Sequence, residues 1–150
     1  MERLIAVGVL VVVAVVVAAV LRRRGEDAPT QGASWAVPTQ LDRADFTRPD
    51  APWLVAVFSS ATCLSCEATW AKAVHLSSDA VAVQEVEAAA DRDLHHRYGV
   101  EAVPMVLVAD RTGAVRASFL GEPTATDLWA TLAELRQPGS TPDGCEHGLG

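Results

Sequence analysis

"WLVAVFSSATCLSCEATWAKA", residues 53–73, is the stretch on which the fold turns. Its first part, "WLVAVFS" (53–59), is an unbroken apolar run containing Val and Phe, which predicts a strand buried on both faces. In "CEATWAKAVHL" (66–76) the period changes to that of a helix. Ala68, Ala71 and Val74 or His75 recur on one stripe, beside Trp70. Between the two elements stand Cys63 and Cys66, separated by Leu64 and Ser65. On these residues alone the pair has three readings: a redox couple, half of a metal site, or two buried thiols packing as small hydrophobes.

Placement carries more than spacing. Cys63 falls where the strand ends and the helix begins. A helix N-terminus presents unpaired N–H groups and about half a positive charge, which favours a thiolate. The thiolate is the attacking species in disulfide exchange, so Cys63 is the candidate nucleophile. Cys66 lies one helical turn further on and is expected to be less exposed, which suits a resolving thiol.

Outward from this stretch the pattern keeps alternating. "VAVQEVE" (81–87) reads as a strand and "ADRDLHHRYG" (90–99) as a helix closed by Gly99. "PMVLVAD" (104–110) and "AVRASFL" (114–120) read as strands joined by "RTG", with Gly113 in the turn. "TATDLWATLAELR" (124–136) is an amphipathic helix with Thr124 as its N-cap and Leu128, Leu132 and Leu135 on one face. A short strand is expected near "TQLDRADF" (39–46). The order gives an α/β domain: a central mixed sheet flanked by helices, parallel in its first half and ending in an antiparallel hairpin.

A second signal is Val103–Pro104. A proline opening a strand has no N–H to give, and a cis bond there leaves the backbone of Val103 open to an extended segment. Cys-x-x-Cys at a strand-to-helix junction, "YGVEAVP" (98–104), a hairpin ending in "FLG" and a closing helix together resemble the thioredoxin family over roughly residues 40–136. The resemblance implies a thioredoxin-like fold, with Cys63 as nucleophile and Cys66 as resolving thiol. It also implies a cis Pro104 beside them, and Val103, Pro104 and Gly121 along a substrate groove. No cofactor is implied. The chain departs from the family at four positions: Thr62 replaces a tryptophan, Leu64–Ser65 replaces Gly-Pro, and Val57 falls where a buried aspartate assists proton transfer.

The N-terminus has a different character. Residues 4–21 form 18 uncharged residues in a row, followed by Arg22 to Arg24. As a helix they extend about 27 Å, near the thickness of a bilayer core. A cleaved signal peptide is the rival reading, with "VAA" (17–19) as its cleavage site. Glu2 beside Arg3 makes a poor basic n-region, and the three arginines lie on the wrong side for export. The expectation is an uncleaved single-pass anchor in the cell membrane, N-terminus outside and soluble domain in the cytoplasm. Residues 1–3 are then a short tail, 22–39 a linker, 40–136 the domain and 137–150 a disordered tail.

Met1 to Arg24 carries four of the 12 Lys and Arg and one of the 19 Asp and Glu, leaving 8 against 18, a balance of −10. So acidic a surface repels phosphate backbones, and nucleic acid is not an expected partner. The expected partners are protein disulfides, the membrane through residues 4–21, and a reductant of unidentified kind. Two alternatives remain. One is a redox-inactive tethered module that binds an extended segment beside Pro104. The other is a metal carrier in which Cys145 and His147 add two ligands to Cys63 and Cys66.

Overall fold

The computed structural model describes residues 35–140. The expected membrane span (4–21), most of the linker, and Cys145 with His147 lie outside the described residues. Within them, no helix is long and apolar enough to cross a membrane.

Strand β1 (Trp53–Ser59) runs into helix α1 (Leu64–Ala73), which tightens into a 3-10 turn, Val74–Leu76. Strand β2 (Val81–Glu87) and the short helix α2 (Arg92–Tyr98) follow. Strands β3 (Met105–Asp110) and β4 (Val115–Leu120) form a hairpin, and α3 (Ala125–Arg136) closes the domain. The strand order is β2-β1-β3-β4. β1 pairs parallel with β2, and β3 pairs antiparallel with both β1 and β4. This is the mixed sheet expected from the element order.

Successive residues of a strand point to opposite faces, so the buried strand β1 supplies two cores. Leu54, Ala56 and Phe58 face one side, with Met105, Leu107 and Val86, under Leu41, Phe46 and Tyr98. Val55 and Val57 face the other, with Val106 and Val108, under Ala73 of α1 and Leu128 and Leu132 of α3. Each fully buried Val, Leu or Phe contributes about 1.5–3 kcal/mol of transfer free energy. On α3, the Thr124 hydroxyl accepts the Asp127 N–H at 3.1 Å and starts the helix at the expected cap.

Several expectations need correction. No strand forms over residues 39–46. Gln40 makes an isolated bridge to Ala114, and Arg43–Asp45 form a 3-10 turn because the Asp42 carboxylate accepts the Ala44 N–H at 3.0 Å. The linker is shorter than expected, since Thr39 already accepts a hydrogen bond from Val115 N–H at 2.9 Å. The first residues of the expected disordered tail are ordered: Gln137 to Ser140 form a turn in which Gly139 N–H donates to Glu134 at 2.7 Å. The buried stripe of α1 is Cys66, Thr69 and Ala73, not the one through Ala68 and Ala71. Thr69 tolerates burial because its hydroxyl donates back to the Ser65 carbonyl at 2.7 Å.

His95 is buried. Its ring nitrogen meets the Val86 carbonyl at 3.0 Å and its edge packs on Phe58. Trp129, on α3, is 50% exposed. Tyr98 fastens α2 to the N-terminal segment by donating to Asp45 and accepting from Asp42 N–H. Burial, then the bond to Asp45, push its phenol up to about 12.

Candidate functional site

Cys63 is the N-cap of α1, in extended backbone, and its sulfur accepts the Cys66 N–H at 3.2 Å. The junction arises because β1 runs out of apolar residues at Ser59, and the chain turns through Ser60 and Ala61. Cys63 N–H then donates to the Ser60 carbonyl at 3.0 Å. The two cysteines are joined as a disulfide with their Cα atoms 5.2 Å apart. Cys66 is 1% exposed, Cys63 is half-buried, and Leu64 between them is 84% exposed. The Ser65 hydroxyl lies 3.4 Å from the Cys63 sulfur. Once reduced, a thiolate at position 63 meets N–H donors at the positive end of a helix, the environment that favours it.

The Val103–Pro104 peptide bond is cis. Met105 pairs with Phe58 on one side and Leu120 on the other, so Val103, Pro104 and Gly121 arrive at the sheet end from which the Cys63 loop leaves. Gly121 has φ +89° and donates its N–H to the Pro104 carbonyl at 2.9 Å.

Both sulfurs line a cleft of about 290 Å³, with Glu67, Trp70, Glu85 and Glu87. Val103, Pro104 and Gly121 are not part of its wall. Sequence reading missed Glu85 and Glu87. Their signal was present in "VAVQEVE", where the inward positions change from Val81 and Val83 to Glu85 and Glu87. Glu87 is fully committed: its oxygens accept the N–H groups of Ala61 (3.1 Å), Ala89 (2.9 Å) and Ala90 (2.9 Å). These bonds, Ala90 first and then Ala61, hold its carboxyl below the usual range and tie the Cys63 loop to β2.

The fold is similar to known structures. A mutant thioredoxin from Halobacterium salinarum NRC-1 superposes with a TM-score of 0.50 at 22% identity, over 58% of this chain and 76% of that one. The germline-specific thioredoxin Deadhead from Drosophila melanogaster gives 0.51 at 22% identity, over 58% and 84%. The chain has the thioredoxin fold. A structure titled only as a malarial protein matches as well, with a TM-score of 0.50 at 14% identity, over 55% of this chain and 96% of that one. No family model and no curated protein matches the sequence.

In this chain the Cys-x-x-Cys pair occupies the start of α1. Val57, which the resemblance aligns with a buried aspartate, is fully buried among Val55, Val106 and Val108. Among the described residues, no group of three or more His, Cys, Asp and Glu is arranged to hold a metal ion. A larger cleft of about 550 Å³ beside α2, lined by Arg92, His95, His96 and Glu101, contains no cysteine.

Proposed function

We propose that this chain is a membrane-anchored thiol–disulfide oxidoreductase that reduces or exchanges protein disulfides through Cys63 and Cys66. One observation carries the reading: a disulfide-forming pair whose first sulfur caps a helix and whose second is buried one turn later. The Cys63 thiolate attacks one sulfur of a substrate disulfide, and the other substrate sulfur leaves as a thiolate. Cys66 then loses its proton and attacks Cys63. The Cys63–Cys66 bond forms, the mixed disulfide breaks, and the second substrate thiolate departs. An external dithiol returns the pair to the reduced state. Val103, Pro104 and Gly121 border the groove that receives the substrate segment, and no nucleic acid takes part.

The test is insulin reduction driven by dithiothreitol. Cys63→Ser is expected to lose the catalysed rate entirely, and full activity in that variant would sink the proposal. The apolar Val57 favours a second reading, a tethered module that binds without turnover. It requires partner binding that survives loss of both cysteines. A partner held by Cys66→Ser only as a mixed disulfide counts against it.

Anchoring through residues 4–21, with the domain in the cytoplasm, is the further part of the proposal. Arg22 to Arg24 support it through the bias of basic flanks towards the cytoplasm. In intact cells a membrane-impermeant thiol reagent should leave Cys63 unlabelled. Labelling before lysis would place the domain outside.

A further inference from the structure

Cys66 is the buried member of the pair, and a buried thiol must shed its proton before it can resolve a mixed disulfide. The ionisable groups that share its cleft are Cys63, Glu67, Glu85 and Glu87. Three elements and one loop surround that cleft. β1 brings no ionisable group to this face, where Val55, Val57 and Ser59 lie, α1 offers the two cysteines and Glu67, and β2 offers Glu85 and Glu87. The loop at Ser60 and Ala61 brings no ionisable group, and His75, on the 3-10 turn that also packs on β2, is exposed.

The three carboxylates are not equivalent. Glu87 is held ionised by three backbone N–H groups and is a weak base. Glu67 lines the cleft but is exposed. Glu85 is partly buried, and its Cα pairs with Val57, which puts its side chain on the face that α1 covers. The Ser59 hydroxyl donates to Glu85 Oε1 at 2.7 Å and fixes the carboxylate over the cleft. We infer that Glu85 is the proton acceptor for Cys66 in the resolving step. It supplies from β2 the carboxylate that β1, with Val57, does not.

This role rests on the exchange reaction proposed above. The Cys66 S–H gives its proton to Glu85, directly or over one water, across the cleft that both side chains line. The resulting thiolate attacks Cys63, the Cys63–Cys66 bond forms, and the substrate sulfur leaves with the bonding electron pair. The proton passes from Glu85 to that departing thiolate or to solvent.

The experiment uses the full-length chain with Cys145→Ser, reduced and mixed with one equivalent of the aromatic disulfide 5,5′-dithiobis(2-nitrobenzoate). The first release of thionitrobenzoate reports attack by Cys63, and the second reports resolution by Cys66. Glu85→Gln is expected to keep the first phase and slow the second about 100-fold at neutral pH, the scale of general-base assistance. The deficit should close as pH rises towards the ordinary thiol range near about 8.5. Glu85→Asp should recover part of the rate. A second phase in Glu85→Gln with the parent's rate and pH profile overturns the role, as does a slowing equal at every pH, which marks a structural effect. If Glu85→Gln does not fold, Glu85→Asp carries the test: a slowed second phase with a displaced pH profile supports the role, and an unchanged profile overturns it. A parent chain with no second phase at any pH overturns the exchange reading itself, and this role with it.

Discussion

At the β3–β4 turn the carboxylate of Asp110 accepts four hydrogen bonds, from Thr112 N–H (2.8 Å), the Thr112 hydroxyl (2.6 Å), Ala114 N–H (3.2 Å) and Arg116 Nε (2.7 Å). At the opposite end of the sheet the carboxylate of Glu85 is tied by the Ser59 hydroxyl. The same contrast runs through both regions. Beside Asp110, Gly113 packs so closely that an added Cβ would lie 1.9 Å from the Leu41 carbonyl oxygen, and Gln40 and Arg43 reach across to the turn. At Glu85's end of the sheet a helix start is open, Leu64 is exposed and, past the far edge strand, nothing lies within 4 Å of a Cβ at Gly121. The chain commits its polar groups at one end to holding the sheet together. At the other it leaves a carboxylate and a sulfur pair available for chemistry.

Substitutions at the two ends should separate these roles. The largest effect is expected from Gly113→Ala. Its φ of +83° strains any L side chain, and the new methyl meets backbone at the Leu41 carbonyl. Strain and overlap together should cost about 2–5 kcal/mol in urea unfolding. A cost below about 1 kcal/mol would mean that this end is not locked.

Asp110→Asn comes next, at about 2 kcal/mol, the scale of hydrogen bonds to a charged group. The Thr112 hydroxyl bond first, helped by Arg116, holds the Asp110 carboxyl down to about 2, against the opposing effect of burial. A folded-state pKa below the ordinary value of 3.8 gives stability that is full above that value. It is lost as pH falls through about 2. The parent chain should therefore lose its advantage over Asp110→Asn in acid melts across that window, and a pH-independent difference would contradict the assignment.

The smallest effect is expected at the open end. Gly121→Ala meets no atom within 4 Å, so only its φ of +89° opposes the methyl group. The cost should be about 1–2 kcal/mol, below that of Gly113→Ala. Equal costs for the two glycines would erase the distinction between the ends.

Much of the fold was legible because its signals are local. The apolar run of β1 and the alternation of β2 fixed both strands at their observed limits, Trp53–Ser59 and Val81–Glu87. Gly99, in left-handed backbone, and Thr124, as an N-cap, ended and began helices where their chemistry requires. What escaped depends on single side-chain partners, which periodicity does not show. His95 is buried because the Val86 carbonyl waits for its ring, and Asp42 turns a would-be strand into a 3-10 turn whose neighbours bind α2. The cysteine pair and Pro104 could be marked from sequence by their positions at element ends. For Glu85 the alternation of β2 gives only its face, and the parallel register with Val57 is needed to set that face beside the cleft.

The most direct test of the central claim is a redox titration of the full-length chain carrying Cys145→Ser, equilibrated in graded thiol–disulfide buffers, with free thiols counted by mass after alkylation. A working Cys63–Cys66 couple predicts that both thiols disappear together in one two-electron transition. A midpoint near or below about −270 mV would make the pair a reductant, and one near about −120 mV an oxidant. Two thiols that stay free across the whole range would contradict the account.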